Sequence, residues 1–172
     1  LAPFGNLYLV SESRMDHAIT PCCSLEFAMT QPIVRIYGIP MDLGQNRRGV
    51  DMGPSALRYS GLSDRIRKLG YLPIDCGNVA VPQAEESPEH YDPQTNAQYL
   101  PQVAQVCQNA FDLISQTWKP DEHAVFLGGD HTISIGTVAA VARERRVGVL
   151  WVDAHADMNT PRPSLVENLP PY

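Results

Sequence analysis

The stretch that most limits how this chain can fold runs from Val147 to Val152, "VGVLWV", with no polar side chain, and is followed at once by "DAHAD". A strand with one wet face alternates apolar and polar residues. One that is apolar on both faces belongs in the middle of a parallel sheet with helices packed on either side. The chain upstream supports that reading. "IVRIYGI" (Ile33 to Ile39) alternates and then ends in a proline-bearing loop, as a strand would. The loop "PMDLGQNRRGVDMG" follows, and Pro54 sits where the first turn of a helix tolerates it. Leu57, Leu62, Ile66 and Leu69 predict one helical face, closed by Gly70 at a C-cap position. "YLPIDCGNVAVP" predicts a second, shorter strand, and the polar "AEESPEHYDPQT" a surface loop. Val103, Cys107, Ala110, Phe111 and Ile114 then recur at helical spacing over about five turns, and that stripe is core rather than a site. "HAVFLGGDH" is a short buried strand breaking at Gly128-Gly129, and "TISIGTVAAVARER" a helix. Strands alternating with helices imply an α/β fold whose functional groups gather beyond the carboxyl ends of the strands.

Composition narrows the function classes. The 172 residues suffice for one domain with a sizeable core, at 44% hydrophobic and 19% charged residues. A net charge of −6 argues against a nucleic-acid or anionic-membrane partner, which needs clustered Lys and Arg. No run approaches the roughly 20 apolar residues of a membrane span. Cys22, Cys23, Cys76 and Cys107 form no CxxC pair, so they are expected to be reduced thiols of a cytoplasmic protein. Residues 1–28 have neither a helical nor a strand period and lack the pattern of a signal peptide. They are expected to be a disordered upstream extension, with the folded part starting near Met29.

Asp153, His155 and Asp157 occupy alternate positions just past an apolar run. In locally extended chain such positions point to one side, so the three can converge on one centre. His131 can join them from the end of the preceding strand. Two carboxylates and two imidazoles without a thiolate suit a divalent metal of intermediate hardness such as Mn²⁺; Zn²⁺, Fe²⁺ and Co²⁺ are also compatible. A carboxylate shared between two centres would bridge paired metals about 3.5–4 Å apart. The competing reading makes these residues solvated polar groups of a loop, with Asp130 as a helix cap. Four ligand-type residues after two apolar strands favour metal.

"GGDHTISIG" and "DAHADMNTP" resemble the two amino-terminal signatures of the ureohydrolases, the arginase and agmatinase family. "GIPMDLGQNRRGVDMGPSALRYSGL" is similar to the opening of bacterial-type arginases. The resemblance covers about Ile33 to Pro161, with a loose middle around residues 80 to 120. It implies a three-layer α/β/α domain around a mainly parallel sheet. It also implies a binuclear Mn²⁺ site that hydrolyses a guanidinium group, converting L-arginine to L-ornithine and urea. By motif position, His131 and Asp157 would bind one manganese, His155 the other, and Asp153 would bridge both. Asp157 would also act catalytically by orienting the attacking hydroxide. Asn159 matches the position that holds the α-carboxylate of L-arginine, which favours arginase over agmatinase, although an Asn before Thr160-Pro161 equally suits a turn. The family commonly forms trimers or hexamers, so a homo-oligomer is implied.

The resemblance stops early. A Gly-Asn-x-His-Gly motif, a second Asp-x-Asp motif and a late acidic residue of the family have no counterpart after Pro161. The chain there reads "RPSLVENLPPY", whose prolines suit neither a helix nor a central strand. The expected organisation is an extension over 1–28, the amino-terminal part of an arginase-like domain over 29–161, and an irregular tail over 162–172. Such a truncated chain is expected to be inactive alone. A sibling hydrolase such as agmatinase, and a non-catalytic fragment that docks onto intact subunits, stay open as alternatives.

Overall fold

The computed structural model describes residues 31–45, 48–86, 91–92 and 97–154. The expected extension over 1–28 and tail over 162–172 lie outside the described residues, as do His155, Asp157 and Asn159. Strand β1 (Ile33–Ile39) leads through a loop and a 3₁₀ turn into helices α1 (Gly53–Tyr59) and α2 (Leu62–Lys68). Strand β2 (Leu72–Asn78), a two-residue β3 (Tyr91–Asp92) and β4 (Ala97–Gln98), the long helix α3 (Leu100–Thr117), strand β5 (His123–Gly128) and helix α4 (Ile133–Glu144) follow. The main sheet has the order β2-β1-β5 and both of its pairings are parallel. The α/β class with a parallel sheet, expected from alternating strand and helix patterns, is therefore what the chain forms.

β1 is central, and its two faces explain its sequence. Val34 and Ile36 turn toward Leu127 and Ile66, with Leu62, Tyr71 and Val125 packed around them. Tyr37 and Ile39 turn the other way, toward Val103, Val106, Cys107, Ala110 and Ile114 of α3 and Ala140 of α4. Helices thus cover both faces, giving three layers. Ile36, Ile39, Val106 and Ile114 are fully buried, and each such side chain contributes about 1.5–3 kcal/mol of hydrophobic stabilisation. The helical stripe expected on α3 is the stripe observed; Val106 joins it, and Phe111 is only partly buried. α4 lies close against α3 because Gly136 has no side chain: a Cβ there would sit 2.3 Å from the carbonyl oxygen of Cys107.

Four expectations differ from the structure. The single helix drawn through Leu57, Leu62, Ile66 and Leu69 is two short helices, parted at Ser60-Gly61, where Gly61 adopts a left-handed φ of 83°. Leu57 and Leu69 stay exposed, so only Leu62 and Ile66 reach the core. The expected stop at Gly70 holds: Gly70 N–H donates to the Arg67 carbonyl and Tyr71 N–H to that of Ile66, the paired bonds that close a helix C-terminus. The stretch expected to be a surface loop supplies one strand of a short antiparallel ladder, Tyr91 opposite Gln98 and Asp92 opposite Ala97. β2 is as long as β1.

The largest difference is at 147–152, the expected central strand. No strand forms there, and Val149, Leu150 and Val152 are exposed by 58%, 89% and 87%. The physical reason is pairing. An apolar pattern states which faces need cover, but a parallel strand also needs a neighbour to bond its N–H and C=O groups. A central strand needs a neighbour on each side; among the described residues the sheet ends at β5, and residues 147–152 join no sheet.

Candidate metal centre

Both strand ends that build the site lie at one edge of the sheet. β1 and β5 run parallel with Gly38 opposite Leu127 and Ile39 opposite Gly128, so the loops leaving them begin side by side. Gly129 N–H donates to the Ile39 carbonyl at 3.4 Å and Asp130 N–H to the Met41 carbonyl at 2.8 Å, which carries the contact past the strands. Gly129 must be glycine for this approach, since a Cβ would fall 1.7 Å from the Met41 carbonyl oxygen.

His131 follows directly, ahead of α4. Its Nε2 lies 3.3 Å from Oδ2 of Asp153, and its ring stacks obliquely on Trp151 with centroids 5.6 Å apart. The His131 side chain is 59% exposed while that of Asp153 is 18% exposed, so the carboxylate is sheltered and the imidazole faces outward. Two of the four expected ligands are therefore brought together from two separate segments. The other two, His155 and Asp157, and the expected substrate contact Asn159, lie outside the described residues. Among the described residues no three His, Cys, Asp or Glu side chains converge as a metal cage.

Asp130 takes no place beside His131. It is buried, accepting the Gly44 N–H at 2.7 Å on Oδ2, the Thr132 N–H at 3.0 Å on Oδ1, and the Thr132 hydroxyl. The expected helix-cap role is not the one observed: the N-cap of α4 is Thr132, with no side-chain capping bond, and the Asp130 carboxylate instead closes the turn before the helix and reaches the β1 loop. That loop is held in turn by Asp42, also buried, which pairs with Arg48 at 3.0 Å and accepts the Gly49 N–H at 3.2 Å. Below the site, Cys107 donates its thiol hydrogen to the Thr132 carbonyl at 3.2 Å, and burial pushes that thiol up from its ordinary value. Sequence reasoning placed Cys107 in the core and did not anticipate these links. The Asp130–Gly44 and Cys107–Thr132 links join residues 86 and 25 positions apart; Asp42 reaches Arg48 and Gly49 within its own loop, and the local signal at Asp130 was a Thr two residues on.

Fold and site together define a class: a helix-covered parallel α/β protein with imidazole and carboxylate groups gathered past the carboxyl ends of its strands. The chain belongs to the arginase family, whose family model matches residues 33–168 and so runs on past Pro161. It is 42% identical over 137 residues to the arginase of Bacillus caldovelox, covering 79% of this chain and 45% of that protein. The crystal structure of the Bacillus caldovelox arginase superposes with a TM-score of 0.67, covering 77% of this chain and 44% of the other. The Entamoeba histolytica arginase, solved in complex with L-ornithine, superposes with a TM-score of 0.66 at 31% identity, covering 77% of this chain and 45% of that one. The chain therefore spans under half the length of the relatives it matches. Among the described residues no helix is long and apolar enough to cross a membrane.

Proposed function

We propose that this chain carries the amino-terminal part, residues 29–161, of an amidinohydrolase that converts L-arginine to L-ornithine and urea. The observation that carries the reading is the approach of His131 to Asp153 at the carboxyl edge of a parallel sheet, in a chain of the arginase family. An imidazole nitrogen and a carboxylate oxygen at that spacing fit a divalent cation of intermediate hardness. His131, Asp153, His155 and Asp157 would hold two Mn²⁺, with Asp153 shared between them. When bound, such ions lower the pKa of water and polarise a guanidinium.

The rest of the chemistry falls to side chains. Asp157 accepts a hydrogen bond from the attacking water and aims it at the guanidinium carbon. The water oxygen bonds to that carbon, the bond to the substrate's chain nitrogen breaks, and the leaving amine takes up the proton that the water gives up. Asn159 donates its amide hydrogens to the substrate α-carboxylate, which selects L-arginine over agmatine. In this reading the complete protein is a cytoplasmic homo-oligomer, a trimer or hexamer, with no nucleic-acid or membrane partner. A second reading, a non-catalytic chain docking onto intact subunits, is favoured by the exposed Leu150 and Val152.

The test is urea release, with Mn²⁺, by this chain joined to the residues that follow the matched segment in the Bacillus caldovelox arginase. Release from L-arginine and none from agmatine is expected. Release from agmatine alone transfers the assignment to an agmatinase. No release from either, with stable co-purification on an intact arginase, favours the docking reading.

A further inference from the structure

His131 poses a positioning problem. Its side chain is 59% exposed, so packing alone does not hold the ring; the backbone that carries it must be fixed instead. Asp130 and Thr132, the residues on either side, are tied down by a single carboxylate. The Thr132 N–H belongs to the peptide joining His131 to Thr132, and Asp130 Oδ1 accepts it across a tight turn. Oδ2 accepts the Gly44 N–H from the loop after β1. The Asp130 N–H donates to the Met41 carbonyl in that same loop. Two strand-end loops thus share one buried carboxylate, and His131 sits between its anchors.

We propose that Asp130 is a positioning residue for His131, clamping the β5–α4 turn to the β1 loop so that the imidazole is presented toward Asp153. The inference rests on reading His131 as a metal ligand. Asp130 itself is poorly placed to be one. It is only 5% exposed, and three of its roughly four lone-pair sites already accept protein hydrogens. Thr132 is the N-cap of α4 and no side chain caps that helix, so the carboxylate serves the turn and the β1 loop. Groups that orient a ligand from behind typically govern metal affinity by a factor of about 10–100.

The experiment uses the full 172-residue chain as wild type, Asp130→Asn, Asp130→Ser and the core control Val106→Ala. Asp130→Asn can offer an acceptor to Gly44 or to Thr132, not to both. Asp130→Ser keeps a hydroxyl for the turn but falls short of Gly44. Two quantities are read: the His131 ring-proton shift in metal-free protein at one fixed pH, and Mn²⁺ affinity from the spin-resonance signal of free Mn²⁺. The His131 shift is displaced by the neighbouring Trp151 ring, so it reports position without any metal. Expected in both Asp130 variants are a His131 resonance moved toward its random-coil position and Mn²⁺ binding weakened about 10–100-fold. Val106→Ala lowers the melting temperature and moves neither. An unmoved resonance in both Asp130 variants, an equal shift in Val106→Ala, or failure of both Asp130 variants to fold overturns the proposal. If wild type binds no Mn²⁺ while the Asp130 variants still shift the resonance, the metal reading fails and the positioning role stands.

Discussion

Arg35 and Glu122 meet across 87 positions of chain, with Arg35 Nε donating to Glu122 Oε2 at 2.5 Å and Nη2 to Oε1 at 2.9 Å. Arg35 is the charged residue of β1, and its side chain is 17% exposed against 5% for Glu122. The Glu122 carboxylate also accepts the Lys119 N–H, and its main-chain carbonyl accepts the Trp118 indole N–H, so the corner before β5 is pinned to β1 at the end opposite His131.

Glu122→Gln is therefore expected to cost about 3 kcal/mol, because Arg35 would keep its charge without a charged partner. The ion pair holds the Glu122 carboxyl below its ordinary value near 4.5 and raises Arg35 further, the paired hydrogen bonds being the main cause of each. Since the folded-state value of Glu122 is depressed, its stabilisation is complete above that ordinary value and is lost as pH falls below it. Arg35 stays charged throughout. Urea denaturation at pH 7 and at pH 3 checks both statements: the gap between wild type and Glu122→Gln should shrink at pH 3. A gap that stays constant removes the ion pair from the account.

Gly136→Ala should destabilise by about 1–3 kcal/mol, since the added methyl meets the α3 backbone at Cys107 and forces two packed helices apart. Thermal unfolding followed by circular dichroism measures it. Gly148→Ala, whose Cβ meets nothing within 4 Å, serves as the comparison and should change the melting temperature little.

Asp153→Ala and Asp157→Ala should each lower bound Mn²⁺ more than Asn159→Ala does. Carboxylates would neutralise the cation, whereas in the proposed function the amide at 159 would contact only the substrate. Elemental analysis after gel filtration, in the chain extended with the Bacillus caldovelox sequence, gives the comparison. Equal metal content in all three variants would remove these residues from the metal site.

Deleting residues 1–28 should leave Mn²⁺ content and melting temperature unchanged, because the family match begins at residue 33 and the sheet at Ile33. A fall of more than a few degrees would show that the segment supports the domain.

Urea release from L-arginine by this chain alone, with saturating Mn²⁺, should be undetectable. The chain spans 45% of the Bacillus caldovelox arginase, and of the four proposed metal donors only His131 and Asp153 lie among the described residues. Losing ligands or proton-transfer groups costs factors of about 10² or more each. Turnover within tenfold of a complete arginase would mean that another assembly finishes the site.

What the sequence by itself determined was whatever depends on near neighbours. The α3 stripe at Val103, Cys107, Ala110 and Ile114 repeats with the helical period and is buried as that period requires. The stop at Gly70 and the turn after Gly128-Gly129 were legible for the same reason, and the order of strands and helices announced the parallel sheet. The place of His131 just past a strand end was legible because the apolar run of β5 and Gly128-Gly129 precede it. Only the tertiary structure decided what depends on distant partners. The link from Asp130 to Gly44 and the pair Arg35–Glu122 join residues 86 and 87 positions apart, beyond the reach of any local pattern. The same cause explains the failed strand at 147–152: burial on both faces is written in its apolar side chains, but pairing is a property of a neighbour that the segment cannot encode.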